Sequence, residues 1–377
     1  MMEHFDVIVA GVGGMGSAAT YHLARRGVRV LGLERYDIPH AMGSSHGVNR
    51  IIRKAYFEDP SYVPLLGRAY ELWRELEEIA GETILVTTGG LDVAPADHRV
   101  FQGSLRSCRE HGLAHEVLTA EEVGRRFPGY ALPPSHMAVY QPDGGYVMSE
   151  RAIVAHVEGA QSHGAEVHGR EEILDWEPRG SGVVVITDRD RYSAERIVFT
   201  AGAWSAGLVD ELATLAVPER QVLGWFQPLR PDLFQPGTFP IFNLEVEEGH
   251  FYGFPVETIP GFKIGLYHHL GEVVDPNTMD RDANAHDEAV LRTAVERYFP
   301  EASGPVLSLK TCMFTNSPDE HFIVDVHPRL DQVVVAAGFS GHGFKFCSVI
   351  GEILADLALD GGTSHDIELL SMGRFAT

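Results

Sequence analysis

The sequence predicts an α/β fold of two domains, one a parallel layer of strands and helices built from separated stretches of chain, the other a mainly antiparallel β-sheet inserted between them. Three observations carry this. The chain opens on a strand, glycine turn, helix, strand unit, and a second strand, glycine loop, helix unit closes it. Between them, residues 216–330 are richer in Pro and aromatics and alternate as strands do, in runs such as "GHFYGFPV" and "GFKIGLYHH". With 377 residues and 44% hydrophobic content there is material for two cores.

The opening unit is specific. "FDVIVA" at 5–10 is a short apolar run leading into "GVGGMG", "SAATYHLARRG" has helical spacing, and "VRVLGLE" is the second strand. Gly11, Gly13 and Gly16 match G-x-G-x-x-G, with Gly14 inside the turn, and Glu34 ends the second strand. In that order these features describe a Rossmann-like dinucleotide unit. The missing side chains let backbone approach a pyrophosphate at the helix N-terminus, and Glu34 accepts from ribose hydroxyls, which argues against a 2′-phosphate. Further on, 150–169 reads as an amphipathic helix leading into a strand, and 182–188 and 195–205 as two more strands. Residues 331–362 repeat the strand, glycine loop, helix design with Gly338, Gly341 and Gly343, and Gly361 and Gly362 close the helix. The expected nucleotide-binding domain therefore comprises residues 1–80, 150–215 and 325–377, and the inserted substrate domain 81–149 and 216–324.

A formal charge of -23 repels nucleic acid and anionic lipid, so any anionic ligand needs a local positive site. No apolar run is long enough to span a bilayer, the N-terminus lacks a basic region with a cleavage site, and the C-terminus carries no peroxisomal tripeptide; a cytoplasmic protein is expected. The 3 cysteines, Cys108, Cys312 and Cys347, are scattered, which suggests neither a disulfide framework nor a metal site. Lysine is rare: the residues are Lys54, Lys263, Lys310 and Lys345, and arginine supplies the rest of the 30 cations. Lys263 and Lys345 stand out, each flanked by apolar residues on a short segment with Gly, as suits a compact ammonium in a tight place.

The opening unit serves NAD and FAD proteins alike. The closing loop "GFSGHGFKF" favours a flavin, because its free amides at a helix N-terminus would stabilise negative charge on the reduced ring, a task a nicotinamide enzyme does not set. "RIIR" at 50–53 places two guanidinium groups around two apolar residues, an arrangement suited to receiving an anion in a partly dry pocket.

"DVIVAGVGGMGSA", "GSSHGVNRIIRKAYFED", "KTCMFTNSPDEHFIVDVHP" and "AAGFSGHGFKFC" together resemble the monomeric sarcosine oxidase and N-methyltryptophan oxidase family of flavin amine oxidases, over nearly the whole chain. The resemblance implies FAD joined through its 8α-methyl to the sulfur of Cys312, Arg50 over the flavin, and a substrate carboxylate bound by Arg53 and Lys345. It further implies Lys263 on the other flavin face assisting reaction with O2, Tyr252 in the substrate pocket, and Glu58 beside Arg53. Three positions depart from the family's pattern. Phe314 stands where a Tyr is frequent, Asn49 where a Thr is, and the place of the active-site histidine falls among Tyr267, His268 and His269, of which His268 is carried. The implied activity is oxidation of the N-methyl C–N bond of sarcosine or a similar secondary amino acid by a monomer. The imine hydrolyses to glycine and formaldehyde, and O2 becomes H2O2. Alternatives are an oxidase of N-methyltryptophan, pipecolate or proline-like amines, or a flavin dehydrogenase serving a partner protein.

Overall fold

In the computed structural model, which describes residues 2–375, three sheets organise the chain. The first has eight strands. Its centre is parallel: Glu3–Ala10 lies between Val30–Leu33 and Arg191–Phe199, Glu166–His168 extends it on one side, and Val333–Ala337 pairs with the far half of Arg191–Phe199. Ile173–Arg179, Gly182–Thr187 and Ile323–Val326 add antiparallel edges. The central strands, "VIVA" and "VVVAA" among them, are buried throughout, as parallel strands covered on both faces must be. Helices Gly14–Arg25, Tyr62–Ala80, Ser149–Ser162 and Cys347–Asp360 pack together against this sheet around one apolar cluster. Sequentially remote segments thus meet in a single layer, as the opening and closing units predict. The expected strand at 195–205 is shorter at its end: the strand is Arg191–Phe199, and Gly202–Gly207 forms a 3₁₀ turn entered at Gly202 with φ 54°.

The second sheet also has eight strands, in the order Val306–Asn316, Val217–Phe226, Phe262–Leu266, Gly249–Phe254, Ile241–Val246, Gly90–Pro95, His136–Gln141, Glu116–Thr119. All its pairs are antiparallel except Ile241–Val246 with Gly90–Pro95. Period-two alternation separates two chemistries. Leu91, Phe242, Leu244, Phe251, Phe262, Ile264 and Phe226 point to the back, into an aromatic core capped by helix Ala285–Tyr298. Asp92, Asn243, Tyr252, Lys263, Leu223 and Cys312 alternate with them on the front face, in register across the strands. A small sheet of Asn49–Ile52, Gly145–Met148 and Leu85–Thr87 shares no strand with either and carries Arg50, Ile51 and Ile52 of "RIIR". Among the described residues no helix is long and apolar enough to cross a membrane.

Candidate active site

A cavity of about 480 Å³ runs from the opening glycine turn to the front face of the antiparallel sheet. At its first end the turn is built by contact distances only glycine allows. A Cβ on Gly16 would lie 1.8 Å from the carbonyl oxygen of Gly11, so the helix packs directly on the turn that precedes it. Gly13 and Gly14 line the cavity, and helix Gly14–Arg25 starts without a side-chain cap, so its first amides are available to an anion apart from Gly14 N, which reaches Ser45 Oγ at 3.3 Å. Glu34 is fixed by the amides of Val12 at 2.9 Å and Tyr36 at 3.0 Å. Burial works against its carboxylate, but His40 and these amides hold it below the usual range, leaving an ionised acceptor on the cavity wall. This cradle fits the pyrophosphate and ribose of a dinucleotide. Trp204 and Tyr36, rings 5.5 Å apart, flank it, and Trp204 Nε1 donates to Asn277 Oδ1 on a loop of the inserted sheet. Sequence reading passed over both aromatics.

Farther in, Cys312 faces the cavity from strand Val306–Asn316 and is 4% exposed. Its Sγ lies 3.7 Å from Arg50 Nη2 and 3.7 Å from the Ser44 carbonyl. Burial would raise the thiol, but His46 and Arg50 beside it bring it down to about 7. His46, which sequence reading did not single out, is buried with Nε2 unpartnered. Arg50 spends its guanidinium on the carbonyls of Ser44, His46 and Asn49, which pins the "GSSHGVNR" loop around the sulfur. Lys263 is not on the cavity wall. It sits one layer behind, donating to Gly47 O at 2.7 Å and to Asn49 O and Oδ1 at 2.8 Å each, with the Phe254 ring 4.2 Å away. The Asn49 side chain, at the departure from Thr, is thus one of its three partners.

The other end carries the remaining cations. Arg53, 4% exposed, donates from Nη2 to both oxygens of Glu58 at 2.8 and 2.9 Å and from Nη1 to Ala55 O, with Asp92 Oδ1 3.7 Å from its Nε. Lys345, placed by the closing loop just before helix Cys347–Asp360, gives one bond to His342 O at 2.7 Å. The two cations face the same Tyr56 ring, at 4.6 and 5.1 Å from its centre. Burial, and then Arg53, lowers Lys345 to about 7. Glu58 is lowered as well, which keeps it charged: burial opposes its charge, but Arg53, His342 and Lys345 hold the carboxylate at about 2. The residues drawn from opposite ends of the sequence do meet.

Tyr252 lines the cavity as expected, its ring lying over Gly265 of the next strand, where a Cβ would come within 2.6 Å. Phe314 packs against Gly341, whose φ of +77° and a would-be Cβ 2.4 Å from that ring leave room for glycine alone; Gly343 lines the same wall. The histidine assignment needs correcting. His268 does not line the cavity; it bridges Glu219 at 3.1 Å and Glu320 at 3.2 Å, and those bonds raise it to about 9. His269 is bonded to Asp287 in a separate buried network with Arg220. Strand alternation ends at Tyr267: His268 and His269 have φ of 63° and 40°, a turn that swings both rings away, so Tyr267 occupies the wall and its hydroxyl donates to Ser340 O. Asn243, His250 and His342 also line the cavity and were not anticipated.

The FAD dependent oxidoreductase family matches residues 6–357. The chain is 44% identical to monomeric sarcosine oxidase of Streptomyces avermitilis, covering 100% of this chain and 99% of that one. It is 33% identical to N-methyl-L-tryptophan oxidase of Yersinia pestis, over 98% and 99%. Among solved structures, NikD, an unusual amino acid oxidase essential for nikkomycin biosynthesis, superposes with a TM-score of 0.86 at 26% identity over 98% of each chain.

Proposed function

The chain belongs to the FAD dependent oxidoreductase family, and on that premise we propose that it is an amine oxidase of N-methyl amino acids, sarcosine first, anchoring its flavin through Cys312. One observation carries the substrate class: two buried cations, Arg53 and Lys345, both pack on the Tyr56 ring and line the cavity at the end away from the nucleotide cradle. In a chain of charge -23 that pair is where an amino-acid carboxylate would be held. Held in the cavity, FAD would supply the redox chemistry, by which the N-methyl amine loses two electrons and two protons to become an imine and O2 takes them up as H2O2. The chain's own residues bind and orient. Glu58 holds the Arg53 fork in its plane, Lys345 adds a movable ammonium, and Tyr252, Tyr267 and Phe314 keep water from the space between. The imine product hydrolyses to glycine and formaldehyde. Strands from residues 1–80, 150–215 and 325–377 share the first sheet, which supports reading those segments as one FAD-binding domain and the rest as the substrate domain.

Purified protein given sarcosine and air is expected to release H2O2, and dimethylamine, which lacks the carboxylate, to be a very poor substrate; equal rates with both would end the carboxylate reading. Arg53→Lys keeps a charge and loses the two-pronged geometry, at a cost of about 2 kcal/mol in kcat/KM, roughly thirtyfold. A variant indistinguishable from wild type would remove Arg53 from the site.

The lowered pKa of Lys345 makes a second forecast. The ammonium is present below about pH 7 and lost above it, and the ammonium is the form that attracts a carboxylate. The inhibition constant of a simple carboxylate such as propionate should therefore be flat below that pH and weaken by up to about tenfold per unit above it. Lys345→Met should flatten the profile; a profile that survives the substitution assigns the titration elsewhere.

A further inference from the structure

The cavity contains a polar group that the reaction described above leaves idle. Asn243 is in register with Tyr252 on one neighbouring strand and with Asp92 on the other, so the three side chains leave the sheet on its cavity face. Asn243 Nδ2 donates to Asp92 Oδ1 at 2.6 Å, and Ser104 Oγ donates to Asp92 Oδ2 at 2.6 Å. Burial raises the Asp92 carboxyl, but Arg53, Ser104 and Asn243 beside it favour the carboxylate, which only accepts, so Asp92 fixes the amide with its NH2 inward and its oxygen turned the other way. Asn243 is 7% exposed and lines the cavity, and among the described residues its Oδ1 receives no hydrogen bond. Asp92 Oδ1 is also 3.7 Å from Arg53 Nε, which puts the amide one carboxylate away from the guanidinium that would hold the substrate.

A second acceptor lies on the neighbouring strand. His250 lies two residues before Tyr252 on the same strand and face, lines the cavity, and stacks on Tyr267 with ring centres 5.5 Å apart. Burial keeps its ring neutral, lowered to about 3. Its Nδ1 faces Glu245 Oε2 at 3.6 Å, which favours the proton on that side, and its Nε2 is buried without a partner. Phe57, Tyr252, Tyr267 and Phe314 make the rest of this end aromatic. The cavity thus offers an Asn243 amide oxygen that no protein donor reaches, and the next strand a buried His250 Nε2 without a partner, acceptors that suit a ligand bringing a donor.

Resting on the oxidase reading above, we propose that Asn243, held in orientation by Asp92, determines substrate choice. Among N-methyl amino acids larger than sarcosine, it favours those whose side chain carries a hydroxyl or N–H donor. The carboxylate meets Arg53 and Lys345, and the substituent on the α-carbon reaches the amide oxygen. Asp92 is a positioning residue: it touches Asn243 and not the substrate.

The test compares kcat/KM for N-methyl-L-serine and its near-isostere N-methyl-L-2-aminobutyrate, with sarcosine in parallel. Wild type is expected to favour the hydroxyl compound by at least about tenfold, and Asn243→Leu to bring the ratio to about one. If the single variant does not hold flavin, the double variant Asp92→Leu with Asn243→Leu removes both ends of the buried hydrogen bond and should give the same collapse. Asp92→Asn frees the amide to turn over and should give an intermediate ratio, a readout that a purely structural role would not move. A wild-type ratio near one, or a ratio that survives Asn243→Leu, overturns the proposal while leaving sarcosine oxidation intact. Failure to oxidise sarcosine or either N-methyl compound would sink the oxidase reading and this proposal with it.

Discussion

Cys312→Ala is expected to move all of the flavin from acid-precipitated protein into the supernatant, where wild type retains it in the pellet. The reason is the contrast among three buried thiols. Cys108 is pushed up to about 12 by burial, then by Asp92, and Cys347, although it lines the cavity beside the glycine turn, is raised well above the usual thiol range by burial. Both are protonated and unreactive at neutral pH. Cys312 alone is brought down, to about 7, because His46 and Arg50 outweigh its burial. A substantial share is then thiolate, in contact with the cavity and 3.7 Å from a guanidinium that would stabilise the charge. Cys347→Ala should keep the flavin covalent, which separates reactivity from mere proximity. Equal acid-stable flavin in the Cys312→Ala protein would refute the anchor.

What could be read in the sequence is what is local. The glycine turn and Glu34 are set by a single strand, turn, helix, strand unit, so spacing alone locates them, and the alternation of "HFYGFPV" reveals which face Tyr252 takes. Tyr267 was legible in principle: it follows directly on strand Phe262–Leu266, four residues past Lys263, so the alternation carried one step further puts it on the same face. It was named beside His268 and His269 but passed over for His268, because the turn that begins at His268 depends on backbone with positive φ, which non-glycine residues seldom announce. Asp92 and Asn243 were out of reach for another reason. They stand 151 positions apart and meet only through the parallel pairing of Gly90–Pro95 with Ile241–Val246, a register set by the whole sheet. The depth of Lys263 behind the wall was likewise invisible, since it depends on where the small sheet carrying Asn49 comes to rest against the large one.

Lys263→Met should slow reaction of the reduced enzyme with O2 by about 100- to 1000-fold while changing reduction by substrate far less. The charge state is the first step of the argument. Burial, and then Arg50, pushes this amine toward neutrality. Yet Gly47 O, Asn49 O and Asn49 Oδ1 all accept from it, at 2.7, 2.8 and 2.8 Å, and three acceptors require three N–H bonds, which only the ammonium has. The hydrogen-bonding geometry therefore favours the charged form, and Glu150, which accepts from the amides of Gly47 and Val48, adds a nearby counter-charge. The second step is that the charge is fixed. An ammonium held by three oxygens and by the faces of Phe254 and Trp225 does not reorient when negative charge develops nearby, so its stabilisation comes without a reorganisation cost and in a medium that screens poorly. Methionine fills a similar volume and removes the charge together with its three hydrogen bonds. Stopped-flow traces in which the reduced Lys263→Met enzyme meets O2 at the wild-type rate would show that this buried ammonium holds the Gly47–Asn49 loop in place and does nothing for the oxidative half of the reaction.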